Sequence, residues 1–175
     1  AVKQAAETLH QPIITLNFWE LPGGIIDGRL SEDIARRIGQ HDGPVFSLIG
    51  GNGPVVIGTL VHPRRFDFVL PMQPDLPLEP GAEVIPSGLV LRKLEELAAP
   101  YIHLMEQTRK VSRGAMFHLE TPPPVGDSQR MKKYIPWPLF PDMLQEVSSP
   151  VFRLKLWLLH SDLMARVCKR LGITF

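Results

Sequence analysis

Between residues 12 and 49, a strand-like run, a helix-like segment and a second strand-like run follow one another, and this alternation constrains the fold most. Residues 12–19 are apolar enough for a buried strand, and residues 45–49 form the second run. Ser31 can cap the helix between them, and Gly39 can end it. A strand, helix and strand of this size predict the right-handed crossover that joins parallel strands.

Three further helices are predicted. Residues 1–9 form a short one, and apolar residues recur at helical spacing over residues 87–110, where Pro100 predicts a kink or a break. Ser149, which is followed by proline, fits the N-cap of a last helix that ends at Gly172.

Strand-like segments separate these helices. Residues 55–61 and 66–70 are β-like and predict either a hairpin or an edge, and residues 114–120 return the chain to the sheet. Residues 71–86 are rich in proline and acid, which favours a surface insertion over a core element. Residues 173–175 resemble the first part of another strand.

The chain of 175 residues suits one domain with a sizeable core, because its 44% apolar and 21% charged residues are typical of a globular protein. We therefore predict a single α/β domain with three α/β/α layers and a mainly parallel sheet, as in flavodoxin-like proteins. The opening helix has no strand before it and the last strand stops after three residues. We expect the natural domain to continue beyond both ends.

Charge and hydropathy argue against several classes of partner. Nineteen basic and eighteen acidic residues leave a formal charge of +1, and no run of five like charges occurs, so neither nucleic acid nor a membrane surface is predicted as a partner. No apolar run reaches the roughly 18 residues that a membrane span needs. The default location is then the cytoplasm, unless a leader was removed before position 1.

Cysteine and histidine predict neither a disulfide nor a metal site. Cys168 is the single cysteine and is predicted to be a buried small hydrophobe on the last helix. The histidines lack metal-ligand spacing, and His160 is predicted at the surface of that helix. The sequence also contains no P-loop and no GxGxxG turn, so no cofactor is implied.

Three loops are expected to meet at one edge of the parallel sheet. The loop over residues 50–54 follows the strand at 45–49, and residues 121–127 with their three prolines leave the strand at 114–120. Residues 23–28 form a glycine-rich turn. Open α/β sheets bind ligands at the edge where the carboxyl ends of their strands lie.

Asn52 and the neighbouring glycines carry the candidate chemistry. The Asn52 amide and a backbone N–H of Gly24 or Gly23 can stabilise the charge that grows on a carbonyl oxygen during acyl transfer. Gly50 and Gly51 let the backbone approach a substrate closely. Taken alone, Gly-Gly-Asn is also typical of an ordinary turn. No Gly-x-Ser-x-Gly elbow supplies a nucleophile.

His118 and Glu120 lie two positions apart on the strand at 114–120, and therefore on one face of it. Two interpretations stay open, which are contact with a substrate and hydrogen bonding at the strand end. Trp137 and Phe140 offer an apolar wall for an acyl or sugar group, or pack a long loop.

These pieces, in this order, resemble the SGNH (GDSL-like) hydrolase family. In that family a Gly-x-Asn-Asp block after the third strand donates an oxyanion-hole amide, and residues 50–53 are similar to it, with glycine in place of the last aspartate. A glycine that donates a backbone N–H lies earlier, before a helix, as Gly23 or Gly24 does here. Residues 118–124, His-Leu-Glu-Thr-Pro-Pro-Pro, are similar to a segment of one bacterial branch.

The resemblance implies a serine esterase or O-acyl hydrolase that acts on a small ester or an acylated carbohydrate. The family places its serine in a Gly-Asp-Ser block after the first strand and its histidine in an Asp-x-x-His block near the C-terminus, and the chain lacks both blocks at these places. Two alternatives follow, an acyltransferase with the same acyl-serine chemistry and a non-catalytic binding module. The oligomeric state is not predicted.

Overall fold

The computed structural model describes residues 28–49, 58–133, 135, 137–139 and 141–175. The helix predicted over residues 1–9 and the strand predicted over residues 12–19 lie outside this part of the chain. Within it, helices alternate with short strands, some of which pair in parallel. The predicted mixed α/β class is therefore confirmed.

Four α-helices lie wholly within the described residues, and their ends follow from local chemistry. They are α1 (Glu32–Gly39), α2 (Ser87–Val111), α3 (Ser128–Lys132) and α4 (Pro150–Leu171), with one 3₁₀ turn over Trp137–Leu139. Ser31 and Ser149 cap α1 and α4 as predicted, each accepting a hydrogen bond from the amide three residues later. Gly172 ends α4 with a φ of 66°, which glycine adopts without strain. None of these described helices has the length and apolarity needed to cross a bilayer.

Pro100 lies inside α2, which continues through it as one helix. Gly28 has a φ of 65°, and a Cβ atom there would lie 2.5 Å from the Pro100 carbonyl oxygen, so only glycine fits this contact. The Gln107 side chain donates to the Gly28 carbonyl at 2.8 Å and accepts from the Leu30 amide at 3.0 Å. Both interactions fix the segment before α1 against α2.

Six short strands form three two-stranded sheets in the described residues. β1 (Val45–Ser47) pairs in parallel with β5 (Met116–His118), β2 (Leu60–Val61) pairs antiparallel with β6 (Leu144–Val147), and β3 (Phe66–Asp67) pairs in parallel with β4 (Glu83–Val84). Because β2 and β3 each pair with another strand, the described parts of residues 55–61 and 66–70 form no hairpin. Residues 58–59 are helical, so the β-like prediction is wrong there.

The chain end adds a third parallel segment beside β5. Thr174 forms a parallel bridge with Phe117, the His118 amide donates to the Thr174 carbonyl at 2.7 Å, and the Thr174 amide donates to the Met116 carbonyl at 2.9 Å. Ser47 and β1 lie on the opposite edge of β5, where the Leu119 amide donates to Ser47 at 2.8 Å. The strand predicted at residues 173–175 thus begins where a parallel sheet requires it.

Two apolar clusters hold these elements together. One joins the N-terminal half of α2 to one stripe of α4 and to residues 66–70. The other packs β1 and β5 under α1, α2 and α4, with Met105, Met116, Met164 and Cys168 fully or almost fully buried. The prediction that Cys168 is buried is confirmed.

A buried ion pair connects α4 to β3 and to the proline-rich insertion. The Lys155 ammonium lies 2.6 and 2.7 Å from the two carboxylate oxygens of Asp67, and both side chains are at most 1% exposed. Lys155 also donates to the carbonyls of Phe68 and Pro77, and Asp67 accepts from the amides of Phe68 and Glu79. Residues 71–86 lie mainly on the surface, as predicted, and this pair fixes them there.

Removing one charge of this pair is expected to destabilise the fold strongly. In Lys155→Met the Asp67 carboxylate stays buried without its cation, which costs about 3–5 kcal/mol of the free energy of unfolding. Urea denaturation measures this loss. Lys169→Met, at an exposed position of the same helix, serves as the control and should cost less than about 1 kcal/mol. Equal losses in the two variants would contradict the interpretation.

Candidate functional site

The candidate site lies at the edge where β1 and β5 end. Their parallel register sets Ser47 opposite His118, so the chain leaves both strands at the same edge. Both side chains are buried, and Ser47 Oγ accepts from the Ile49 amide at 3.2 Å. The two strand exits predicted to meet at one edge do so in the described residues.

The predicted oxyanion-hole residues lie outside the described part of the chain. They are Gly23, Gly24, Gly50, Gly51 and Asn52. Their assignment stays a prediction. Phe140 also lies outside, whereas Trp137 is half-buried and donates its indole N–H to the Lys132 carbonyl at 3.0 Å, which fits the loop-packing interpretation.

His118 is held between the sheet and the chain end. Its imidazole stacks on Phe175 with ring centroids 5.7 Å apart. Within the described residues no hydrogen-bond partner reaches the buried Nδ1 atom. Burial lowers the His118 pKa, because the protonated ring would lose its hydration. His118 is therefore a neutral group at the strand end, and its contact with a substrate stays a prediction.

Glu120 follows His118 at the edge and contacts α4. Its Oε2 accepts from the Ser161 hydroxyl at 2.7 Å, and its Oε1 lies 4.0 Å from His160 Nδ1. Burial raises the Glu120 pKa, and the hydrogen bond from Ser161 opposes this rise by stabilising the carboxylate. The expectation of a hydrogen bond at the strand end is met, while substrate contact stays a prediction.

His160 is buried, so its predicted surface position is wrong. Its side chain is 8% exposed. His160 precedes Met164 and Cys168 by four and eight positions, and these two residues pack against the sheet. The helical spacing therefore indicates that His160 lies on the buried side of α4.

Cys168 lies deeper in the same region. Burial, together with the nearby Glu120 charge, raises the pKa of its thiol to about 11. The thiol therefore stays protonated at neutral pH, which argues against a nucleophilic role.

The triple-proline segment runs along α4 and is held by one stripe of that helix. Trp157 donates to the Thr121 carbonyl at 2.9 Å. Arg153, 1% exposed, donates to the carbonyls of Pro124 at 2.6 Å and Gly126 at 2.7 Å. With Ser161, these side chains recur every fourth residue, so they hold successive points of residues 120–128.

This segment also contains a Gly-Asp-Ser triplet at residues 126–128. Asp127 caps α3 by accepting from the Gln129 amide at 2.8 Å. Ser128 Oγ accepts from the Arg153 guanidinium at 3.2 Å. A nucleophilic serine instead requires a base that removes its proton. The triplet therefore has a structural role, and it follows β5 rather than a first strand.

A second concave region lies between β2, β3 and α2. This groove of about 330 Å³ is lined mainly by apolar side chains, together with Lys93 and His62. Within the described residues, no group of three or more His, Cys, Asp or Glu side chains is placed to share a metal ion.

The chain matches neither a family model nor a curated protein nor a solved structure.

The Glu120 carboxyl should make stability depend on pH in a defined direction. Because its folded pKa lies above its unfolded value of 4.5, the folded state binds the proton more tightly. The stability gained from this tighter proton binding is complete below pH 4.5, and it is lost as the pH rises through the folded pKa of Glu120. Glu120→Gln should therefore gain stability relative to wild type as pH rises over this window, in urea denaturation at a series of pH values.

Two further variants sharpen this test. Glu95→Gln changes an exposed carboxyl of α2 and should leave the pH profile unchanged. Ser161→Ala removes the donor to the carboxylate, so an NMR titration should show the Glu120 pKa rising further. A Glu120 pKa that falls in Ser161→Ala would contradict the assigned hydrogen bond.

Proposed function

We propose that this chain is part of an SGNH-like serine esterase or O-acyl hydrolase that acts on a small ester or an acylated carbohydrate. In this proposal Asn52 and the Gly24 backbone N–H stabilise the oxyanion. The nucleophilic serine and the base are not identified in this sequence. Gly23, Gly50 and Gly51 allow close approach of the acyl group, and His118 and Glu120 line the substrate side of the edge.

The parallel pairing of β1 with β5 carries the proposal. Residues 50–53 begin three positions after Ser47, and Glu120 lies two positions after His118, opposite Ser47. Because both exits share one edge, an amide on the first loop and polar groups on the second can face one substrate. Such an edge is where α/β hydrolytic sites form.

The chemistry of acyl transfer explains why an amide donor matters here. Attack on an ester carbonyl moves negative charge onto its oxygen, and donors fixed in advance stabilise this charge in the transition state. The segment after the glycine turn is fixed at Gly28 by Gln107 and Pro100 of α2. A rigid support of this kind is what an oxyanion donor on the preceding turn requires.

The three-layer α/β/α arrangement also belongs to this proposal. α2 and α4 cover the face of the β1–β5 sheet that carries Val45 and Met116. The opposite face carries Phe46, 56% exposed, whose ring stacks on Phe117 at 5.1 Å, and it continues to Leu48, which is 66% exposed. An apolar sheet face of this kind favours a second helical layer over it.

The test uses the polypeptide expressed with any residues that flank this sequence in its reading frame. Asn52→Ala should lower kcat for hydrolysis of an aryl acetate about 10²–10³-fold, because one oxyanion donor is lost. KM should change little, because the donor acts on the transition state. Gln73→Ala removes an exposed amide from the surface insertion and should retain full activity.

Variants of other serines separate the proposal from its alternatives. Ser128→Ala and Ser161→Ala should retain turnover, since both hydroxyls have structural partners. Abolished turnover in either variant would overturn the proposed site. Absence of both turnover and labelling by a fluorophosphonate would favour the non-catalytic binding module. Acyl transfer to an added alcohol in excess of hydrolysis would favour the acyltransferase.

A further inference from the structure

The groove between β2, β3 and the first turns of α2 has an apolar floor. Val90 is 3% exposed and Leu60 is 9% exposed, so both already belong to the packed interior. Leu89 is 45% exposed at the groove wall. The full described lining consists of Leu60, His62, Phe66, Ile85, Leu89, Val90, Lys93 and Met143. A ligand in this groove would therefore remove apolar surface from water.

Two hydrogen-bond donors interrupt this apolar lining. Lys93 lies four residues after Leu89 on α2, and hence on the same stripe of the helix. Its ammonium pairs with Glu96 at 2.7 Å, but both side chains are more than half exposed, so water and competing anions reach this pair. Lys93 can therefore exchange its partner for the charge of a ligand.

His62 provides the second donor because of its tautomer. Its Nδ1 accepts a hydrogen bond from the Arg64 amide at 3.0 Å. The proton of the neutral ring must then lie on Nε2, which becomes a donor. Among the described lining residues of this groove, none is acidic. Both polar groups of the lining thus suit an acceptor with negative charge.

The adjoining cavity places further charged side chains at this end. This smaller space of about 70 Å³ shares Leu60, His62 and Phe66 with the groove. Its lining includes Arg64 and Arg65 as well as Glu79 and Glu146. Arg65 pairs with Glu146, and the Glu79 amide bonds the buried Asp67. Arg64, Arg65 and Lys93 are matched in number by Glu79, Glu146 and Glu96, so the preference of the groove for an anion depends on the Lys93 ammonium and the His62 N–H.

We propose that this groove binds a straight-chain carboxylate of medium length, with its hydrocarbon chain on the apolar floor and its carboxylate at Lys93 and His62. The groove volume of about 330 Å³ suits a small ligand. An apolar floor with one ammonium and one neutral N–H donor favours an anionic amphiphile over a cationic or uncharged one. This inference does not depend on the proposed ester hydrolysis, because it concerns binding alone.

Isothermal titration of the full chain with decanoate, octanoate and hexanoate tests the proposal. Each methylene removed from the chain should weaken binding about 4-fold, because its burial is worth about 0.8 kcal/mol. Decyltrimethylammonium and decanol have the same chain without the carboxylate, and both should bind at least 10-fold more weakly than decanoate. Equal affinity for either of them, or no dependence on chain length, would overturn the proposal.

Two neighbouring substitutions in one helical turn locate the binding site. Leu89→Glu puts a negative charge on the groove wall and should weaken decanoate binding more than 10-fold. Gly88→Glu puts the same charge at a neighbouring position outside the lining, with no atom within 4 Å of the added Cβ, and should bind as wild type. Equal loss in both variants would assign the effect to general charge and would reject the groove.

Lys93→Gln and Leu89→Ala complete the test. Lys93→Gln should weaken decanoate binding about 5–10-fold while leaving decanol unchanged, because only the charged head is affected. Leu89→Ala should weaken both ligands, because it removes apolar contact without adding charge. Thermal unfolding of each variant shows that it is folded. Unchanged decanoate affinity in Lys93→Gln would reject the assigned head-group site.

Discussion

The buried contact between Lys155 and Asp67 ties together parts of the chain that share no local interaction. Its ammonium and carboxylate join α4 to β3, and their remaining hydrogen bonds go to backbone groups of residues 68–79. Burying two charges is costly unless every donor and acceptor is satisfied, and here the backbone completes the set. Because β3 and β4 contribute only two residues each, this contact fixes their position more than their ladder does.

The position of α4 in turn determines the edge of the parallel sheet. One stripe of the helix packs with α2, while Met164 and Cys168 pack with β1 and β5. His160 lies beside Glu120, just after β5. Glu120 reaches Ser161 only because this part of α4 lies beside the end of β5. The same helix, α4, thus holds both Glu120 at the strand exit and the buried pair of Lys155 and Asp67.

Local signals predicted much of this fold, whereas long-range pairs escaped prediction. Ser31, Ser149 and Gly172 act through neighbouring backbone groups, so the sequence shows their role directly. Lys155 and Asp67 lie 88 positions apart, and a lysine on a helix looks the same whether it is buried or exposed. The pairing of β2 with β6 and of β3 with β4 was not predicted, because these strands are also far apart in the sequence. For the candidate site, the shared strand edge was predictable, and the burial of His160 was readable from its helical spacing.

The way α4 holds residues 120–128 separates the path of that segment from its amino-acid composition. Trp157 and Arg153 bind main-chain oxygens of Thr121, Pro124 and Gly126, which any residue type would offer. Side chains at these positions can therefore diversify during evolution while the backbone keeps its course. Insertions and deletions are different, since they would shift the oxygens out of step with the four-residue repeat of the helix. The number of residues in this loop, rather than the type of each residue, is therefore what the contacts with α4 constrain.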